Sequence, residues 1–184
     1  MGLDGLYKDY GKAAIEAVKS SKAKSVIAIS HEALSKFEGQ WQKDFGKLGF
    51  DFVSLPSILM KNLPEGAFRS TPGKIAFHPA CGGGNFSKEL LGLLAVVPGV
   101  ETAVIEAGCG ETAWIEPSAE NRAKAHRLLA KAEAAGAGTL VVESHQCLAH
   151  LLASQMGWRE NGLEVTDIYS FLASRLAGVK ANEE

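Results

Sequence analysis

Lys74-Ile75-Ala76-Phe77-His78-Pro79-Ala80-Cys81-Gly82-Gly83-Gly84 is the stretch on which the fold turns. Lys74 to Phe77 is a short, mostly apolar run with the character of a buried strand. The residues after it are poor structural material: a histidine, a proline, a cysteine and three consecutive glycines. Glycine costs backbone entropy and offers nothing to pack, so such a loop is kept where backbone must come close to something. The other two cysteines, Cys109 and Cys147, also come after strand-like runs, Glu101 to Glu106 and Thr139 to Val142. Strands that end repeatedly in chemically active loops fit an open α/β sheet, in which ligands bind beyond the carboxyl ends of the strands.

Outward from this stretch, helix and strand signals alternate. Towards the amino terminus, residues 8–21 carry Ala13, Ala14, Ala17 and Val18 at helical spacing. A strand comes next at Ser25 to Ile29, then a helix through Ala33 to Phe45 entered at Ser30-His31-Glu32, a strand at Phe50 to Val53, and a short helix from Leu55 to Leu63 with Pro56 in its first turn. Residues 64–73 read as a linker. Towards the carboxyl terminus, Phe86 to Val97 is a buried helix ended by Pro98-Gly99. Ser118 caps an amphipathic helix whose Ala125, Leu128, Leu129 and Ala132 share a face and which Gly136 closes. A strand at 139–142, a helix to Met156, a strand at Leu163 to Val165 and a helix from Ile168 to Leu176 complete the series, with a frayed tail from Lys180. The expected class is α/β, with mostly parallel sheets flanked by helices.

An internal repeat refines this organisation. Val26-Ile27-Ala28-Ile29-Ser30-His31 lies over Leu140-Val141-Val142-Glu143-Ser144-His145, at an offset of 114 residues. Gly49-Phe50-Asp51-Phe52-Val53 lies over Gly162-Leu163-Glu164-Val165-Thr166, at an offset of 113. The chain therefore reads as one complete repeat preceded by the back end of another. The expected domains are 1–66, the partial copy, and 67–184, which carries the three cysteine loops.

Composition narrows the function. With 184 residues, 46% apolar and 22% charged, the chain can build a real core. A net charge of −2 gives no electrostatic reason to expect nucleic acid or an anionic membrane surface as partner. The longest apolar run, Leu90 to Val100, is too short to span a bilayer and contains Pro98. Three cysteines without a secretory signal argue against a disulfide framework and for a reducing, cytoplasmic setting.

Four loops are expected at carboxyl strand ends: Ser30-His31-Glu32-Ala33, His78-Pro79-Ala80-Cys81, Gly108-Cys109-Gly110 and Ser144-His145-Gln146-Cys147. Soft thiolates select zinc, copper(I) or an iron–sulfur cluster. Cys81, Cys109 and Cys147 are the candidate metal ligands. His78 and His145 are candidates for a fourth ligand or for a donor that orients one. The bland alternative for His78 is a structural residue that orients its loop, and for His31 and His145, which both come after serine at a helix start, a role in the helix cap. His126 is expected to face solvent, and His150, one turn past Cys147, fits either a ligand or a core role. Gly82-Gly83-Gly84 lacks the spacing of a nucleotide-binding loop.

Taken together, these loops resemble the cysteine-rich CCG domain of heterodisulfide reductase and its relatives. The family pattern is a cysteine, often in His-Asp-Pro-Cys, then Cys-Cys-Gly, then Cys-Pro-x-Cys. His78-Pro79-Ala80-Cys81 is similar to the first element. Gly108-Cys109-Gly110 and Ser144-His145-Gln146-Cys147 are similar to the other two, each with its first cysteine replaced. The resemblance covers residues 22–178 and keeps three of five motif cysteines. It implies an iron–sulfur subunit, of [4Fe-4S] type, in a heterodisulfide-reductase-like redox complex. Such a subunit passes electrons to or from a thiol or disulfide substrate or a partner subunit, and its glycine loop leaves room for the cluster. The alternative on the same fold is a non-catalytic subunit that has lost its cluster or holds zinc and docks a catalytic partner. A third reading is an unrelated α/β enzyme with one cysteine as nucleophile beside His78 or His145.

Overall fold

The computed structural model describes residues 3–110, 118–155 and 162–178. The chain divides into two compact units, Met1–Lys61 and Asn62–Glu184. Both are α/β, with helices flanking parallel sheets.

The first unit contains α1 (Leu3–Ser20), β1 (Ser25–Ala28), α2 (His31–Ser35), a π-helical segment over Lys36–Trp41, α3 (Gln42–Phe45), β2 (Asp51–Ser54) and α4 (Leu55–Asn62). α2, the π segment and α3 run on from one another without a break, with helical backbone at both junctions. Ser30 opens the series, its hydroxyl accepting from the Ala33 N–H at 3.2 Å. Aromatic side chains supply much of the packing: Phe37 stacks on Phe52 at 4.6 Å and meets Trp41 edge-on at 4.8 Å. Among the described residues, β1 and β2 pair in parallel as a two-stranded sheet.

The second unit contains β3 (Gly73–His78), α5 (Gly84–Ala95), β4 (Val100–Val104), α6 (Ala119–Ala134), β5 (Thr139–Val142), α7 (His145–Gln155), β6 (Glu164–Asp167) and α8 (Ile168–Ala173). The strand order is β4-β3-β5-β6, all parallel. From β3 the chain moves outward to β4, then crosses back to β5 on the other side of β3. The connections thus diverge between β3 and β5, where an open α/β sheet forms a crevice at its carboxyl edge.

The sheet is covered on both faces, as its near-continuous apolar strands require. Ala76, Leu140 and Val142 alternate onto one face, where they pack with Ala125, Leu128, Leu129 and Ala132 of α6 and Leu151 of α7. Ile75, Phe77 and Val141 point to the opposite face and are equally buried. Each fully buried Leu or Phe contributes roughly 1.5–3 kcal/mol.

The repeat read from the sequence appears in the strand register. Ser25 pairs with Asp51 in β1–β2, and Thr139 with Glu164 in β5–β6. These are the residues the two offsets superpose. His31 and His145 each begin the helix after the first strand, and Leu55 and Ile168 each begin the helix after the second. The frayed tail expected from Lys180 and the helix end expected at Met156 lie outside the described residues.

Candidate metal centre

His78 is the last residue of β3 and sits two places beyond Ala76, so the pleat turns it to the α6–α7 face. His78 is 2% exposed. Cys109 lies in the loop after β4 and is fully buried against α6 and α7. Cys147 stands in the first turn of α7, just past the end of β5, and is also buried. Three loops at the carboxyl edge thus bring one imidazole nitrogen and two thiol sulfurs to within 4.8 Å of one another. The Cys109 and Cys147 sulfurs are 3.1 Å apart. Soft sulfur and imidazole donors at this spacing can hold a metal ion.

The surroundings prepare the imidazole for ligation. His78 Nδ1 is 3.1 Å from the Ile105 carbonyl oxygen. A carbonyl only accepts, so this contact favours the tautomer with the proton on Nδ1, in which Nε2 is the nitrogen that would ligate a metal. Ile105 is placed by the sheet: its N–H donates to the Phe77 carbonyl at 2.8 Å, extending the β3–β4 ladder by one residue.

Beside this group lies a cleft of about 600 Å³, walled by the loop from His78 to Gly84, by Ser87, Lys88 and Leu91 of α5, and by Val104 and Glu106 to Gly108. His78 belongs both to the donor group and to the cleft wall. Cys81 lines the cleft and is exposed, outside the donor group. His145 is exposed on the first turn of α7 and is likewise outside the group. The sequence loops therefore converge in part: His78, Cys109 and Cys147 meet, while Cys81 and His145 do not join them.

Glu143 is the residue whose role the sequence did not reveal. It comes directly after β5, and its N–H donates to the His78 carbonyl at 3.1 Å. Its buried carboxylate accepts from the Ala80 N–H at 3.0 Å and from the Ser87 hydroxyl at 2.5 Å. One side chain thereby ties β5 to the Cys81 loop and to the first turn of α5. The signal available was a charged residue directly after an apolar strand. Its two partners lie 56 and 63 residues away. Tyr169 stands in the same field: burial, then the carboxylates of Glu143, Asp167 and Glu89, push its phenol above its ordinary value.

His31, His126 and His150 lie outside the donor group. His150, 2% exposed, has Nε2 3.3 Å from the Asn121 carbonyl, which links α7 to the start of α6. His126 corrects the expectation of a solvent-facing residue. It is half-buried, with Nε2 3.0 Å from the Ser154 carbonyl, because α6 packs on α7 along this face. His31 lies 3.3 Å from the Glu32 carboxylate at the start of α2.

Among the described residues no helix is long and apolar enough to cross a membrane. No family model matches the chain, and no curated protein matches it either.

Proposed function

We propose that His78, Cys109 and Cys147 hold one thiolate-preferring metal ion and present it to the adjoining cleft, within a redox assembly. The observation that carries this reading is the double membership of His78, in the donor group and in the cleft wall. Three protein donors leave a tetrahedral ion a fourth position, the pattern of reactive rather than purely structural zinc sites. The sulfur spacing favours a single ion. Two thiolates on one tetrahedral zinc, with bonds of about 2.3 Å, stand about 3.8 Å apart. Cysteines of a [4Fe-4S] cubane bind separate irons and stand well beyond van der Waals contact. A spacing of 3.1 Å is much closer to the former.

When bound, the ion would act as a Lewis acid on a sulfur ligand entering the cleft. The chain's own residues do the rest. The Ile105 carbonyl favours the proton on His78 Nδ1, the α6–α7 core keeps water from the sulfurs, and Glu143 fixes the loop that forms the cleft wall.

The second reading is an iron–sulfur subunit of a heterodisulfide-reductase-like complex, exchanging electrons with a partner subunit. Two observations favour it: the CCG-like motifs, and Cys81 as a third thiol on the wall of the same cleft. Anaerobic purification with zinc, iron and sulfide analysis separates the readings. One metal ion per chain without sulfide, lost in Cys109→Ser and Cys147→Ser and retained in Cys81→Ser, supports the single-ion site. About four irons with sulfide, lost in all three variants, supports the cluster. Protein that binds neither overturns both.

A further inference from the structure

The two buried sulfurs carry a further inference. It rests on the single-ion reading for the metal and on geometry alone for the bond. We propose that Cys109 and Cys147 form a reversible dithiol–disulfide couple whose oxidation dismantles the metal site. Their separation of 3.1 Å falls between two chemical states. A disulfide bond is about 2.05 Å long, roughly 1 Å shorter. The same pair on one tetrahedral ion stands roughly 0.7 Å further apart than here. Both changes are of the size that a side-chain rotation supplies. Cys109 sits in a loop and Cys147 in a first helical turn, and neither belongs to a strand. The residues are 38 positions apart, so no Cys-x-x-Cys motif announces the pair.

The chemistry balances with hydrogen peroxide as oxidant. One thiolate attacks a peroxide oxygen. The O–O bond breaks, giving a sulfenic acid and a hydroxide that leaves as water. The second thiolate attacks the sulfenic sulfur, the Sγ–Sγ bond forms, and the sulfenic oxygen departs as the second water. Two thiols give up two electrons and two protons, and the peroxide is reduced to two waters. The disulfide no longer offers two thiolates, so a metal held until then on three donors is left with His78 alone. An added dithiol reverses the step by exchange. Burial of both sulfurs confines the couple to small oxidants, whereas the exposed Cys81 meets bulky reagents first.

The test uses the full chain carrying Cys81→Ser, both zinc-loaded and metal-free. Each form is treated with hydrogen peroxide, quenched with maleimide in denaturant, and digested without reduction. Mass spectrometry should find the Cys109 and Cys147 peptides linked, with complete loss of both free thiols. A zinc-responsive dye should report one zinc released per disulfide, and dithiothreitol should restore binding. A linked pair in protein that never binds zinc upholds the couple and sinks the single-ion reading instead. Separate sulfinic acids on the two cysteines, or two thiols that survive oxidation in both forms, overturn the couple.

Discussion

A Cβ placed on Gly83 would collide with the Ser87 hydroxyl oxygen and stand 2.8 Å from a Glu143 carboxylate oxygen. Gly82 and Gly84 have φ of +82° and +53°, which L side chains rarely adopt. The glycines therefore have local reasons: two make the turn, and the middle one lets a buried carboxylate reach the loop. The sequence suggested room for a cluster because the loop can be seen in it and the carboxylate, about 60 residues further on, cannot. Gly83→Ala should destabilise the metal-free protein by about 1–3 kcal/mol, the usual cost of overpacking. Urea unfolding measures this, and an unchanged midpoint would mean that Ser87 and Glu143 yield freely. The same limit explains the cysteines. Three strand-end thiols looked equivalent, but exposure depends on which way each loop turns. Cys109 and Cys147 face the α6–α7 core, and Cys81 faces the cleft.

At the level of elements, the sequence was most legible where periodicity and caps agree. Thr139–Val142 is found as read, and α6 starts after Ser118, whose hydroxyl accepts from the Asn121 N–H at 3.2 Å. The repeat offsets reproduce the parallel registers because a one-residue slip would turn every side chain of a strand to the wrong face. The π-helical segment over Lys36–Trp41 was not legible: it has ordinary helical composition, and its stacking partner Phe52 comes from the next strand. The last cap is open to a pH test. Asp167 accepts from the N–H groups of Tyr169 at 2.9 Å and Ser170 at 3.0 Å. Burial works against its charge, but a hydrogen bond from the Ser170 side chain, those two N–H bonds and the nearby His145 outweigh it and hold the carboxyl below its ordinary 3.8. Its folded pKa is therefore the depressed one. Its contribution is complete above the unfolded value and is lost as pH falls through the lower folded value. Asp167→Ala should cost about 1 kcal/mol at pH 7, as loss of a helix cap does. That difference should persist down to about pH 4 and narrow below it. A difference that is the same at pH 3 and pH 7 would remove the charge from the account.

At the scale of the molecule, the chain divides into Met1–Lys61 and Asn62–Glu184, and the donor group found among the described residues lies in the second unit. All three donors, the cleft, Ile105 and Glu143 lie after residue 61. The first unit repeats the fold of β5 to α8, but among the described residues it lacks the strand that β3 supplies beside β5. Its β1 is left with Ile27 at 50% exposure, whereas the matching Val141 is fully buried. A two-stranded sheet is marginal alone in water, while four strands covered on both faces are not. The two units should therefore separate on dissection. Residues 62–184 expressed alone should unfold cooperatively and bind as many metal ions as the whole chain. Residues 1–61 alone should show little cooperative unfolding and no bound metal. Circular dichroism melts and metal analysis of both fragments decide the matter. A 62–184 fragment that folds but binds no metal would mean that the donor group, although contained in one unit, depends on the first unit for its geometry.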